Sequence, residues 1–355
     1  MTPLILPSTP RVLIVALRRL GDVLLTTPLI RSIKRAYPLA SIDALVFAGT
    51  EGILAGNPDL AGIVSIPERP RPSETLRLMF RLRRRYDLAL TTQTGDRPTA
   101  LAVIAGRQSA GPIEASGLAA GIKRLALGRS YVREGGQHRV TELLRIAELL
   151  GIPALAEIVC PAGAAPPMLA PAQPYAVIHA APMFIYKRWT VDGWRKLAVA
   201  LRQRGLITVI TGAPADRGYL DEIWRDGEVV RLDGKLAWPE LSAVIGGARA
   251  YIGPDTAITH LAAATGTPTV ALYGPTDPRL WGPLPVGGLD RPWAAAGTLQ
   301  QRGNVWLVQN PLPCLPCQLE GCERRLDSHS QCLDELSADQ VTVAVDRALA
   351  MRHAA

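Results

Sequence analysis

The chain has 355 residues, with 39 Lys and Arg against 31 Asp and Glu, a formal net charge of +8 and 48% hydrophobic residues. This length predicts two domains, since a single core rarely grows beyond about 250–300 residues. No apolar run approaches the roughly 20 residues that cross a bilayer, and the N-terminal segment 1–8 lacks the basic start of a secretory signal. We therefore expect no membrane-spanning segment and a cytoplasmic protein.

Short apolar runs alternate with helical stretches along the whole chain, which predicts parallel β-sheets flanked by helices. The predicted strands are 12–17, 42–47, 63–66 and 87–91 in the first half and 176–179, 207–211, 229–232, 250–252 and 269–273 in the second. Segment 161–174 is rich in Pro and Ala, which predicts an extended linker. The expected domains are thus 1–160 and 175–336, followed by a helix at 337–355 that begins at a Ser-x-x-Gln capping box.

Polar residues follow the first strand in Arg18-Arg-Leu-Gly-Asp22, where a parallel strand ends at the ligand-binding edge of its sheet. This loop lacks the Gly-x-Gly-x-x-Gly pattern that lets a dinucleotide pyrophosphate approach the backbone, which argues against a nicotinamide-dependent enzyme. The aspartate can cap the following helix or act on a bound ligand, and both interpretations stay open.

A second polar turn, Gly253-Pro-Asp-Thr256, lies between two late strands, and a short helix is predicted to start after it. Asp255 and Thr256 are residue types that cap helices, and the first backbone N–H groups of such a helix can bind an anion. The sequence therefore predicts a phosphate site at the carboxyl edge of the second sheet.

Four segments together resemble glycosyltransferase family 9, the heptosyltransferases of lipopolysaccharide synthesis. They are 19–28, 187–194, 209–213 and 255–276, which stand in the family's order and span nearly the whole chain. The resemblance implies an α/β chain with the GT-B fold, in which two Rossmann-like doubly wound domains face each other across a cleft. The first domain would bind the acceptor, the second would bind the nucleotide sugar, and the last helix would return to the first domain.

The resemblance also implies an inverting, metal-independent transfer of heptose from ADP-heptose to a phosphorylated glycolipid, the lipopolysaccharide core. Asp22 would deprotonate the acceptor hydroxyl. Lys187 and the helix N-terminus would neutralise the departing diphosphate without a metal cofactor. The implied donor-binding residues are Lys187, Thr211, Gly212, Asp255, Thr256, Ala257, Thr259, His260 and Thr276. Ala257 departs from the family, which usually has glycine there, and His260 would either contact the phosphate or brace Asp255.

The acceptor site is specified more weakly by the sequence. Residues that follow the predicted strand 87–91 can line the site, and arginines near the first loop can pair with acceptor phosphates. The candidates are Arg18, Arg19, Gln93 and Arg139. Three other hypotheses remain: the same fold using another nucleotide sugar, a nucleotide-sugar epimerase or hydrolase, and a non-catalytic binding protein.

Four of the five cysteines fall in the loop 314–332, which begins with a Cys-x-x-Cys pair. They are Cys314, Cys317, Cys322 and Cys332. This start is a common metal-ligand spacing, whereas a reducing cytosol disfavours disulfides. Structural zinc or iron, free thiols and disulfides all remain open, and any metal held by four thiolates would have no open position for catalysis.

Seven arginines crowd the segment 68–85, whose only acidic residues are Glu68 and Glu74. This segment is either a solvated helix face or a contact with anionic lipid head groups, which would make the protein peripheral to the inner membrane. Few aromatic residues interleave with the arginines, so we expect no nucleic-acid partner.

Overall fold

The computed structural model describes residues 6–163, 169–224, 227 and 229–351. The chain divides into two compact units, Met1–Val159 and Cys160–Ala355. The predicted linker 161–174 lies partly outside the described residues, at 164–168. None of the helices in the described ranges combines the length and the apolarity that crossing a membrane needs.

The first unit is an open sheet in which strands alternate with helices. Its strands are β1 (Arg11–Ala16), β2 (Ser41–Phe47), β3 (Gly62–Ile66), β4 (Tyr86–Thr91), β5 (Gly106–Ile113) and β6 (Arg129–Val132). Its helices are α1 (Leu20–Leu24), α2 (Thr27–Ala36), α3 (Pro72–Leu82), α4 (Asp96–Ala105), α5 (Leu118–Ala126) and α6 (Arg139–Leu150). The strands pair in parallel in the order β3-β2-β1-β4-β5-β6. Because this order reverses between β1 and β4, ligands are expected at the carboxyl ends of those two strands.

The side chains of β1 are buried on both faces of the sheet. This explains why the strand is a continuous run of apolar residues and not an alternation of apolar and polar ones. Val12 and Ile14 belong to one core cluster, which includes residues of α2 and α6. Leu13 and Val15 belong to the opposite cluster, which includes residues of α3 and α4. The sheet is therefore covered on both sides, and its carboxyl edge is left for binding.

The second unit repeats this topology. Its strands are β7 (Tyr175–Ile178), β8 (Ile207–Ile210), β9 (Val230–Arg231), β10 (Ala250–Pro254), β11 (Thr269–Leu272), β12 (Leu299–Arg302) and β13 (Val305–Val308). Its helices are α7 (Val191–Gln203), α8 (Arg217–Ile223), α9 (Trp238–Gly247), α10 (Ala257–Ala264), α11 (Pro278–Trp281), α12 (Gln331–Asp334) and α13 (Ala338–Met351). The order is β12-β13-β11-β10-β7-β8-β9, parallel except for the β12–β13 pair. The reversal between β7 and β10 again marks the binding edge.

The position of α13 corrects the prediction that the last helix returns to the first domain. Its apolar stripe lies in the core of the second unit and consists of Val341, Ala344, Val345 and Ala348. The helix packs on α7, and an ion pair of 2.6 Å joins Arg204 to Asp346 beside it. The stripe is buried there because apolar residues at helical spacing need an apolar partner face, which this unit supplies.

Candidate active site

The phosphate-site turn lies where β10 ends, and β10 neighbours β7 at the reversal point of the second sheet. Thr256 is the N-cap of α10, and its hydroxyl accepts a hydrogen bond from the backbone N–H of Thr259 at 3.4 Å. This cap leaves the N–H groups of Ala257 and Ile258, at the start of the helix, without acceptors inside the helix. The turn therefore offers an anion two backbone donors and the positive end of a helix dipole.

Asp255 is the centre of this turn and is 9% exposed. Its carboxylate pairs with Lys187 and accepts hydrogen bonds from Thr276 at 2.7 Å and Tyr273 at 3.3 Å. Burial raises the pKa of Asp255, but Lys187, His260 and the hydrogen bonds from Lys187 and Thr276 hold that pKa below its ordinary value. The ionised carboxylate thus joins the loops that follow β7, β10 and β11. We call Asp255 and its partners Lys187, Tyr273 and Thr276 the Asp255 hub.

The loop that carries Lys187 is anchored by the buried side chain of Trp189. The indole N–H of Trp189 donates to the carbonyl of Leu336 at 2.7 Å, and its ring packs edge to face on Trp194 at 4.9 Å between centroids. A Cβ on Gly193 would lie 2.5 Å from the Trp189 ring, so the glycine permits this packing. Lys187 therefore stands on a rigid support, with its side chain 21% exposed.

Thr259 was predicted to bind the donor, and its hydroxyl makes contacts within the turn. Its hydroxyl is buried, donates to the carbonyl of Pro254 at 2.5 Å and lies 3.0 Å from the hydroxyl of Tyr251. These contacts stabilise the turn. The hydroxyl hydrogen of Thr259, which we expected to bond the nucleotide sugar, is donated to Pro254 instead. Thr259 is thus a support of the phosphate-site turn.

Thr211 and Gly212 follow β8 at the same edge of the sheet. The hydroxyl of Thr211 lies 3.2 Å from Nδ1 of His179, a buried residue directly after β7 that the sequence analysis did not single out. Burial lowers the pKa of His179 to about 4, so its ring is neutral at pH 7. The carbonyl of Gly212 accepts a bond from the backbone N–H of Gly234 at 2.9 Å, which fixes the loop after β8. In the sequence, the position of His179 directly after the apolar run 176–178 indicates that it lies at the carboxyl end of a strand.

Asp22 lies in the first turn of α1, directly after β1 in the first unit, and it does not cap the helix, because the N-cap is Arg19. Its Oδ1 lies 3.3 Å from Nε of Arg18 and 3.3 Å from Nε of Arg139. This oxygen is buried and accepts no hydrogen bond from the described residues. The arrangement leaves one buried carboxylate oxygen without a hydrogen-bond donor, beside two guanidinium groups that offset its charge.

Arg139 was predicted to contact an acceptor phosphate, but the structure commits it elsewhere. The side chain is 4% exposed; it donates to Glu142 at 3.2 Å and to the carbonyl of Thr92 at 3.2 Å. Arg133 approaches the same glutamate at 2.7 Å. The two Nη groups of Arg139 therefore bond protein oxygens, while its Nε lies beside Asp22 without a hydrogen bond.

Gln93 follows β4, which neighbours β1 at the reversal point of the first sheet. Its Nε2 is buried and has no hydrogen-bond acceptor among the described residues. Such a donor is costly unless something accepts from it. Arg18 is half-buried and Arg19 is exposed. Gln93 thus remains the best-placed acceptor-binding candidate of this edge.

A model of glycosyltransferase family 9 (heptosyltransferase) matches residues 75–290. Lipopolysaccharide heptosyltransferase 3 of Escherichia coli (strain K12) is 32% identical over 286 residues, which is 74% of this chain and 82% of that protein. Lipopolysaccharide heptosyltransferase 1 of Pseudomonas aeruginosa is 28% identical over 345 residues, 93% of this chain and 92% of that protein.

This chain belongs to glycosyltransferase family 9. Among solved structures, E. coli heptosyltransferase WaaC with ADP is similar with a TM-score of 0.72 and 22% identity, over 95% of this chain and 99% of that one. The same enzyme has been solved with ADP-2-deoxy-2-fluoro heptose, with a TM-score of 0.70. The predicted family, the glycosyltransferase activity and the α/β fold class of the GT-B type are confirmed. The family match includes the donor-side turn, whereas Asp22 lies before its first residue.

The cysteines of this glycosyltransferase are all free thiols. Burial and then the neighbouring Cys317, Cys322 and Cys314 raise the pKa of the Cys332 thiol to about 12. In the described part of the chain, no group of three or more His, Cys, Asp or Glu side chains is placed to hold a metal ion. The prediction of zinc or iron in the loop 314–332 is therefore not supported.

The cysteine-rich segment instead contacts two loops of the donor side. The hydroxyl of Ser330 donates to the carbonyl of Tyr186 at 2.7 Å, next to Lys187, and the N–H of Gln318 donates to the carbonyl of Pro275 at 2.8 Å, next to Thr276. A Cβ on Gly274 would lie 2.8 Å from the Leu333 side chain. The segment thus braces the loops that supply two members of the Asp255 hub.

Replacing Ser330 with alanine should raise the KM for the sugar nucleotide by about two- to tenfold and leave kcat unchanged, since one neutral hydrogen bond contributes about 0.5–1.5 kcal/mol. Steady-state kinetics with varied donor would measure this. The matched control is Ser337→Ala, at a serine that caps α13 on the surface of the same unit. Equal KM values for both variants would show that the brace does not position Lys187.

Proposed function

We propose that this glycosyltransferase moves heptose from ADP-heptose to a lipopolysaccharide core acceptor in one displacement with inversion. The Asp255 hub is the observation that carries the proposal. It places a cation, Lys187, beside a capped helix N-terminus whose backbone donors suit a diphosphate. The heptosyltransferase names of the relatives and the ADP in the WaaC structure support the choice of sugar and nucleotide.

In this mechanism the acceptor oxygen bonds to the anomeric carbon as the bond from that carbon to the diphosphate oxygen breaks. Asp22 takes the proton of the acceptor hydroxyl through its buried oxygen, and Gln93 donates a hydrogen bond to the acceptor. Lys187 and the N-terminus of α10 stabilise the negative charge that develops on ADP, which is the work that a divalent cation does in other enzymes. The proposed transfer therefore needs no metal.

The proposal also places the protein in the cytoplasm, in peripheral contact with the anionic inner membrane, where a phosphorylated glycolipid acceptor is available. The arginine-rich segment 68–85 suits anionic head groups because each basic residue near such a surface contributes about 1 kcal/mol. Arg18 and Arg19 remain proposed contacts to acceptor phosphates.

The test is product analysis with ADP-heptose and a heptose-deficient lipopolysaccharide core, in buffer with a metal chelator. We expect release of ADP only when the acceptor is present, a heptosylated core by mass spectrometry, and an anomeric configuration opposite to that of the donor. Transfer from UDP-sugars instead would overturn the donor assignment. Release or epimerisation of the sugar without acceptor would assign the protein to the hydrolases or epimerases.

A further inference from the structure

Helix α5 presents its apolar side chains outward. Only Ala120 and Lys123 of this helix are buried, whereas Leu118, Ile122 and Leu125 are 83%, 58% and 90% exposed. The three lie at positions i, i+4 and i+7, so they form one stripe along the helix. A helix that covers a sheet ordinarily turns such a stripe to the core, and an exposed one marks an interaction site.

The stripe continues onto α3 and α4. A groove of about 400 Å³ is lined by Leu76, Met79, Phe80, Arg83, Arg84, Val103 and Ile104, and a second groove of about 270 Å³ reaches Ala126 on α5. Arg84 and Val103 line both grooves, so the surface is continuous from α3 to α5. Leu76 and Phe80 at its other end are 55% and 68% exposed. We call this region the α3–α5 surface.

The stretch of chain that contains the α3–α5 surface also has an excess of positive charge. The stretch 69–129, which contains α3, α4 and α5, has twelve Lys and Arg against four Asp and Glu, a net charge of +8. The whole chain has the same net charge of +8, so all other residues together are neutral. Arg77, Arg81, Arg83 and Arg124 are exposed beside the apolar side chains.

We propose that the α3–α5 surface docks on an anionic phospholipid bilayer. Helix α5 lies in the plane of the membrane with Leu118, Ile122 and Leu125 among the upper acyl chains, while the arginines bind lipid phosphates. An apolar stripe flanked by basic residues is the pattern of interfacial helices, which enter the boundary by about 5–10 Å. The inference rests on the proposed function, because a lipid-anchored acceptor gives the enzyme a reason to reach the membrane.

A second copy of the chain is a poorer occupant of this surface. A two-fold contact would bring the same patch of both copies together, and each patch carries the excess of arginines. Like charges at such short range repel, whereas an anionic membrane attracts them. Charge complementarity therefore favours the bilayer.

Helix α5 connects this surface to the proposed acceptor site. Lys123, on its buried side, pairs with Asp96 at 2.8 Å and Glu114 at 2.6 Å and donates to the carbonyl of Thr94. Thr94 directly follows Gln93. Docking through α5 would therefore hold the acceptor loop close to lipid head groups.

The experiment is co-sedimentation of the full chain with vesicles of phosphatidylcholine alone and of phosphatidylcholine with phosphatidylglycerol. We expect binding to the anionic vesicles that weakens with salt. The double variant Leu118→Gln, Leu125→Gln should reduce the partition coefficient about tenfold or more, because two large apolar side chains no longer enter the membrane. Arg77→Gln with Arg81→Gln should reduce it on anionic vesicles and remove part of the salt dependence.

The control is Leu39→Gln, an exposed leucine of the same unit in the turn before β2, which should bind vesicles like the wild type. All variants should bind ADP and heptosylate a deacylated core like the wild type, which tests the proposed function separately. A wild type that transfers heptose but does not bind anionic vesicles overturns the docking surface and the proposed membrane contact, and leaves the proposed sugar transfer standing. So does a dimer in light scattering that Leu125→Gln dissociates, since a second copy would then occupy the stripe.

Discussion

Replacing Asp22 with asparagine should lower kcat for sugar transfer by roughly 100- to 10,000-fold, the range that a general base contributes. The amide keeps the shape of the side chain but does not accept the acceptor's proton. ADP affinity should stay unchanged, because Asp22 belongs to the first unit and the Asp255 hub to the second. Single-turnover transfer and calorimetric titration with ADP would measure both quantities.

The matched control for this variant is Asp59→Asn. Asp59 belongs to the same unit, pairs with Arg31 at 2.5 Å, and its side chain is 12% exposed against 10% for Asp22. Both substitutions remove a nearly buried charge paired with arginine, so both can reduce stability, but only the substitution of Asp22 should abolish transfer. If Asp22→Asn keeps kcat within about threefold of the wild type, another group is the base.

The fold was largely predictable because its central strands are buried on both faces. All nine predicted strands lie within two residues of their observed bounds. Strand β5 was not predicted, because its glycines and proline resemble a loop. A Cβ on Gly111 would lie 2.3 Å from the side chain of Thr91 on β4, so close packing between the strands requires glycine there. Strand β13 was not among the predicted strands, although its apolar run Val305-Trp-Leu-Val is typical of a buried strand.

The donor side was predictable to the level of loops but not of single atoms. Parallel strands bring their carboxyl ends to one edge, which explains why Lys187, Asp255 and Thr276 meet although they are far apart in sequence. The spacing of residues along the sequence does not specify which acceptor each hydroxyl or guanidinium group bonds in the folded protein. Thr259 therefore holds its own turn, and Arg139 holds Asp22 and Glu142. Both corrections depend on burial, which only the packed structure supplies.

Replacing Lys187 with alanine should weaken ADP binding by about 10- to 100-fold, since a hydrogen bond between charged groups contributes about 1.5–3 kcal/mol. The loss has two causes. The diphosphate loses its cation, and Asp255 becomes a buried carboxylate without its main partner that repels the ligand. Calorimetric titration with ADP and UDP at two salt concentrations would measure it, and the weakened binding should also depend less on salt.

A double-mutant cycle separates these two causes. Asp255→Asn in the Lys187→Ala background removes the unpaired carboxylate, so it should restore folding stability and part of the ADP affinity. The remaining deficit is the direct contribution of the ammonium to the diphosphate. The control is Lys196→Ala, whose surface pair with Asp192 on α7 is exposed on both sides and should not affect ADP. If Lys187→Ala binds ADP like this control, the diphosphate lies elsewhere, and the Asp255 hub is only a scaffold for the turn.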